Sequence, residues 1–301
     1  MSVHLQPRDL LLLEEIGEYG LLDTATIHAR HWSGAKDPRA CQQRLSKLVD
    51  GGLIRQTRLT VVVDVGRGGG SLPAAYMLTP RGADFIERET GRRPARVAGN
   101  DLAATTILHR LETVHARVAL DDACAAAGLP RPAWILEQDS YANVTPADPL
   151  EKRQVLYERI TLENGGQVSC RPDASSLLQI PKPARPNAFD SLVIYWEIDR
   201  NAGHKSSSKR EAEKIDGYEA LIESGGHVEH WPKAAAAAVR VFYVCPNKER
   251  IQSIAQHVRG RPAAKFYRFA VKSDAVAPGI LTSPVWCDAE GQNFSIWRRP
   301  A

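Results

Sequence analysis

The sequence predicts an α/β protein in two parts, the first mostly helical and the second alternating strands with helices, and three observations support that expectation. The chain has 301 residues, and at roughly 150 residues per domain this length favours two domains. Apolar residues recur at helical spacing up to Val49, then give way to β-branched runs. From residue 133 onward short apolar runs alternate with amphipathic ones, as in a sheet with crossover helices. The composition, 43% hydrophobic and 25% charged, excludes a wholly disordered or fibrous chain.

Residues 8 to 19 predict a first helix, with Leu10, Leu13 and Ile16 on one stripe and Gly20 as its stop. Asp23 and Thr24 can cap a second helix running to His31, because a side-chain oxygen there accepts a free first-turn amide. Asp37-Pro38 starts a third, with Leu45, Leu48 and Val49 on its buried face, and Gly51-Gly52 ends it. Strands are expected at 53–56 and 60–65, a glycine-rich tip at 66–70, and a return strand at 75–78. Three helices followed by such a hairpin describe a winged helix-turn-helix, and Thr79-Pro80 opens a further helix to about Glu89. The stretch from Thr90 to Asn100 has no period, so the domain boundary is expected there, giving 1–96 and 97–301. Asp101 can then cap a long helix to about Ala127 with Ile107, Leu111, Val114 and Val118 in register. Strands follow at 133–137, 154–162, 174–180, 190–198, 239–245 and 265–271, with helices at 208–224 and 247–259.

Charge is unevenly placed. The whole chain carries +4, yet residues 24 to 67 alone hold eight Lys or Arg against three Asp. Arg39, Gln43 and Lys47 are four apart and share a helical face that could enter a major groove, with Arg44 beside them. Arg58 and Arg67 belong to the expected wing and could reach phosphate. Double-stranded DNA is therefore the expected partner of the first domain; a solvated helix used for protein contacts is the alternative. Winged domains often dimerise, so a homodimer is a further expectation.

The second concentration of chemistry is acidic. Arg171-Pro172-Asp173 precedes one strand, and Glu197 and Asp199 point the same way from another because strand side chains alternate. If the strands pair, Asp173, Glu197 and Asp199 converge, and such oxygen donors hold hard divalent ions, Mg2+ or Mn2+. The alternative is an ion-pair patch with Arg171 and Arg200.

These residues resemble the PD-(D/E)XK nuclease superfamily, in which Pro-Asp on one strand and Glu-x-Lys on the next hold metal and activate water. More narrowly the chain resembles the replication-relaxation family of mobile-element proteins, through Leu108-His109-Arg110-Leu111, Arg171-Pro172-Asp173-Ala174 and Glu197-Ile198-Asp199-Arg200 followed by a lysine-bearing helix. The resemblance implies a winged helix-turn-helix followed by a PD-(D/E)XK-like α/β domain with a mixed sheet. It implies metal-dependent DNA nicking or cleavage during plasmid or conjugative replication or transfer, alongside other plasmid proteins. The other implied role is a non-catalytic accessory factor or transcriptional regulator with a degenerate nuclease-like domain. Asp199 stands where the superfamily has lysine. Lys214 is the substitute, since Lys214, Tyr218 and Leu221 recur at i, i+4 and i+7 and bring the ammonium to the edge of a buried stripe. The superfamily's first helix often donates an acid, which suggests Glu112, with His109 on the same face.

Other candidates are weaker. Lys205 and Lys209 lie in a serine-rich stretch that suits phosphate contacts, and His227 and His230 lack the spacing of a relaxase metal site. Gly66 to Gly70 lacks a P-loop's lysine and hydroxyl. Five dispersed cysteines indicate neither a disulfide framework nor a zinc site. No apolar run approaches the roughly 18 residues of a membrane span, and the N-terminus lacks signal-peptide order, so no membrane contact and a cytoplasmic location are expected.

Overall fold

The computed structural model describes residues 4–57, 74–99, 102–182, 185–200, 208–234 and 236–297. The expected strand at 60–65, the glycine-rich tip, Arg58, Arg67, Asp101 and Lys205 lie outside them. Two compact units divide the chain, residues 1–114 and 115–301.

In the first unit, α1 (Pro7–Tyr19) ends at Gly20, whose φ of 85° is open to glycine at little cost. A two-residue strand, β1 (Leu22–Asp23), leads into α2 (Thr24–His31), where the Asp23 carboxylate accepts from the Thr26 amide at 2.7 Å. Helix α3 (Arg39–Asp50) follows, with the Arg39 amide donating to Asp37 at 2.9 Å. Strands β2 (Ile54–Thr57) and β3 (Ala75–Leu78) pair antiparallel, and β3 also pairs with β1. Helix α4 (Pro80–Thr90) is capped by the Thr79 hydroxyl. Leu12, Leu13, Ile16, Ile27, Leu45, Leu48 and Leu78 are fully buried and form the unit's core.

Helix α5 (Ala104–Ala127) crosses the division between the units. In the second unit come β4 (Ala133–Leu136), the short α6 (Leu150–Arg153), and β5 (Glu158–Thr161) paired with β6 (Gln167–Cys170). The strand expected over 154–162 is thus confined to its second half, because Gln154 closes α6 and residues 154–157 turn, the Tyr157 amide bonding the Gln154 carbonyl at 3.3 Å. Then come β7 (Ala174–Lys182), β8 (Arg185–Ile198), α7 (Ser208–Glu223), α8 (His227–His230), β9 (Ala238–Cys245), α9 (Lys248–Val258), β10 (Tyr267–Val271), α10 (Lys272–Ala275), β11 (Trp286–Cys287) and β12 (Asn293–Phe294).

The fold is α/β with a mixed sheet of seven strands among the described residues, ordered β12-β11-β10-β9-β8-β7-β4. β8, β9 and β10 run parallel and the other pairs are antiparallel. Parallel neighbours need crossovers, which α7 and α9 supply. Alternation along β8 separates two cores. Ile194, Trp196 and Ile198 join Ala116, Leu120 and Cys124 of α5 on one face. Val193 and Tyr195 join Ile215, Tyr218 and Leu221 of α7 and Ile254 and Val258 of α9 on the other. Gly217 lets α7 approach β6 closely, since a Cβ there would lie 2.5 Å from the Ser169 carbonyl oxygen.

Candidate active site

The acidic site is built by strand register. Ala174 of β7 faces Trp196 of β8, so the next residues outward, Asp173 and Glu197, are neighbours across the pair. The Asp173 amide donates to the Trp196 carbonyl at 3.1 Å, and the Ile198 amide donates to Asp173 Oδ2 at 2.7 Å, fixing that carboxylate at the strand end. Glu197 shares its face with Tyr195 and so points toward α7, where it is 1% exposed.

Two side chains one helical turn apart on α7 meet it there. Lys214 Nζ forms an ion pair with Glu197 Oε2, and the Tyr218 hydroxyl donates to Glu197 Oε1. Burial pushes the Glu197 carboxyl up to about 8; the Lys214 charge opposes this, nearby Asp173 adds to it, and the bonds from Lys214 and Tyr218 oppose it again. Burial works against the Lys214 ammonium, but Glu197 and Asp173 outweigh it and its pKa is raised. Its side chain as a whole is 40% exposed, although burial is the largest influence on the ammonium itself.

Asp199 takes a different partner. On the same face, it pairs with Arg250 of α9, whose other nitrogen reaches Glu211 of α7 at 2.6 Å. Arg250 is 3% exposed, and one buried guanidinium thereby serves two carboxylates. Asp173, Glu197 and Lys214 are brought together, while Asp199 is held in this neighbouring triad. Arg171 pairs with Glu137 at 3.0 Å. Glu112 and His109 sit half-buried on the part of α5 that belongs to the first unit. Lys209 is exposed, 3.9 Å from Glu213 on its own helix. His230 is buried, with Nδ1 2.7 Å from the Tyr195 hydroxyl and Nε2 3.1 Å from Glu158, a structural link between β8 and β5.

No group of three or more His, Cys, Asp or Glu side chains among the described residues is arranged to hold a metal ion. Magnesium, however, is commonly held by one or two carboxylates, with water and substrate phosphate completing its shell. Asp173 and Glu197 are two adjacent carboxylates, a donor set of the kind such an ion takes, with both Glu197 oxygens now engaged by Lys214 and Tyr218 and with Asp199 held by Arg250.

On α3 of the first unit, Arg39, Gln43 and Lys47 are exposed together, as their spacing requires. Arg44, expected beside them, turns inward: its Nε donates to Asp9 at 2.7 Å, it forms a second bond to the same carboxylate, and it reaches the His4 carbonyl at 2.9 Å. Asp9 is fully buried in α1, so Arg44 clamps α3 to α1.

The replication-relaxation family model matches residues 13–234, well over half of the chain. The chain belongs to the replication-relaxation family. No curated protein is a significant match to the sequence. Among solved structures, a restriction endonuclease FokI structure aligns at 13% identity with a TM-score of 0.29, covering 89% of this chain and 42% of that one. This chain therefore spans less than half of that enzyme's length, and a superposition so weak shows neither a shared fold nor a shared activity.

In this replication-relaxation protein, two partners of the acidic residues are not apparent from the sequence. Tyr218 reads as part of a buried stripe, though its spacing of four from Lys214 already puts its hydroxyl on the same face. Arg250 occupies the apolar stripe of α9 with Ile254 and Val258, and a lone arginine at such a position signals a buried acid partner.

Proposed function

We propose that this replication-relaxation protein processes DNA in the replication or transfer of a plasmid or other mobile element, nicking or cleaving a phosphodiester with a divalent ion. Residues 1–96 act as a winged-helix DNA-binding domain and residues 97–301 as the nuclease-like domain. One observation supports the reading above all: Asp173 and Glu197 are neighbours across antiparallel strands, with an ammonium delivered from α7.

In this reading Asp173 and Glu197 hold the ion, whose chemistry is to polarise phosphate and lower the pKa of bound water. Lys214 acts as a donor, not a base, because its neighbours keep it protonated. From its half-exposed position it offers hydrogen bonds to a non-bridging phosphate oxygen as charge develops there. Tyr218 keeps the Glu197 carboxylate in one orientation. Arg39, Gln43 and Lys47 face the duplex, and holding DNA in one domain raises its effective concentration at the other. A homodimer, binding two half-sites, belongs to the same reading.

Supercoiled element DNA incubated with the protein and Mg2+ or Mn2+ is expected to yield nicked circles. Glu197→Gln or Lys214→Met should lower that rate about 100-fold or more while footprinting of the duplex is unchanged. Absence of nicking, or nicking indifferent to Glu197→Gln, refutes the catalytic reading. A second reading, a non-catalytic replication or transfer factor, is favoured by the engagement of both Glu197 oxygens and the capture of Asp199 by Arg250. Equal protection by wild type and Glu197→Gln with no cleavage by either would establish it.

A further inference from the structure

Two arginines at the opposite end of the parallel strands have no use in the site above. Arg240 is the third residue of β9 and Arg268 the second of β10, and the pairing of Arg268 with Phe242 makes them diagonal neighbours on one sheet face. Each is half-buried, and each guanidinium lies over an aromatic ring: Arg268 is 4.3 Å from the Phe294 centroid and Arg240 is 5.9 Å from that of Phe266. Lys265 Nζ lies 5.1 Å from the same Phe266 ring. Among the described residues their hydrogen bonds go to backbone carbonyls, of Val239 for Arg240 and of Lys265 and Tyr267 for Arg268. Among the described residues no carboxylate forms an ion pair with either, although Asp288 acts on Arg268 through space. Burial works against both charges, and the two also repel each other.

Two other arginines that are buried or half-buried do have carboxylate partners, Arg44 with Asp9 and Arg250 with Asp199 and Glu211. Asp288, next to Cys287 opposite Phe269, offsets part of the Arg268 charge without pairing with it, and like charges gathered in a half-buried place with so little compensation are stabilised by an external anion. Planar guanidiniums seated on rings add what a simple anion does not need: flat surfaces on which an unpaired base can stack while N–H edges reach phosphate. A duplex keeps its base faces covered, so the combination favours a single strand.

We propose that the Arg240–Arg268 patch binds single-stranded DNA through adjacent phosphates and a stacked base, separately from the acidic site. The choice of DNA rests on the proposed DNA-processing role, whereas the patch requires no catalysis. The test uses the full chain in EDTA and a fluorescein-labelled oligothymidylate of about twenty nucleotides, read by anisotropy over a range of salt. Arg240→Gln/Arg268→Gln is expected to weaken binding about tenfold, and losing two phosphate contacts should make the log–log salt slope shallower by about 1.4. Lys152→Gln/Lys233→Gln, which removes the same charge from exposed positions elsewhere, should leave both near wild type. Arg240→Lys/Arg268→Lys guards against misfolding by keeping the charge; it should retain the slope and lose part of the affinity with the stacking plane.

Wild-type affinity and slope in the glutamine pair, or losses matched by the control pair, overturn the proposal. A loss as large for a duplex of equal length overturns the single-strand assignment. A protein that never nicks DNA yet shows the expected loss would sink the catalytic reading and leave this one standing.

Discussion

Replacing Gly217 by alanine tests how closely the proposed nicking activity depends on the seating of α7. In an unconstrained helix the change would stabilise by about 1 kcal/mol, since glycine is the poorer helix former. Here the new Cβ would lie 2.5 Å from the Ser169 carbonyl oxygen and 3.2 Å from its carbon, both backbone atoms of β6. Neither can rotate aside, so α7 must retreat by about 0.5–1 Å, which forfeits a quarter to a half of the dispersion contact along the seam. Overpacking of this kind costs roughly 1–3 kcal/mol, which set against the helical gain leaves a net loss of up to about 2 kcal/mol. In a unit of this size that lowers Tm by up to about 8 °C. Gly217 precedes Tyr218 and lies three residues after Lys214, so the retreat also draws both partners away from Glu197. A displacement near 1 Å can cost about 100-fold in rate. Thermal unfolding and the nicking assay together check both effects. A Gly217→Ala protein as stable and as active as wild type would show that α7 does not bear on β6 as described.

The Glu197 carboxyl, raised by burial from 4.5 to about 8, gives a stability profile with a definite sign. Between those values the folded state holds a proton that the unfolded chain has released, so metal-free stability present at low pH declines as pH rises toward 8, by about 3 kcal/mol at neutrality. Melting curves should show the decline in wild type, its disappearance in Glu197→Gln, and recovery on adding Mg2+; a flat wild-type profile refutes it. In the first unit, Arg44→Ala should destabilise by about 3 kcal/mol because it leaves fully buried Asp9 without its guanidinium. Lys47→Ala should leave Tm unchanged and weaken duplex binding with a shallower salt slope; equal thermal effects of the two would contradict their separate roles.

Much of this was legible in the chain because periodicity reports burial. The alternation that put Glu197 and Asp199 on one face of a strand holds, as does the spacing that brought Lys214 to the edge of a buried stripe. The caps at Asp23 and Thr79 were readable from local chemistry alone. The partner of each charge was not, since it depends on contacts distant in sequence. Asp199 lies 51 residues from Arg250, and Arg44 lies 35 from Asp9, separations that leave no periodic trace. The shortest strands, β1, β11 and β12, are two residues each and too brief to show alternation.

The Arg250 triad also bears on any attempt to place at position 199 the lysine of the nuclease pattern that the chain resembles. A lysine introduced there would set an ammonium against the guanidinium that now balances the aspartate, with Glu211 as the other carboxylate that pairs with Arg250. Such a change is easier to accept if position 250 surrenders its charge in the same stroke, so α9, remote in sequence, helps to decide which residues the end of β8 accepts.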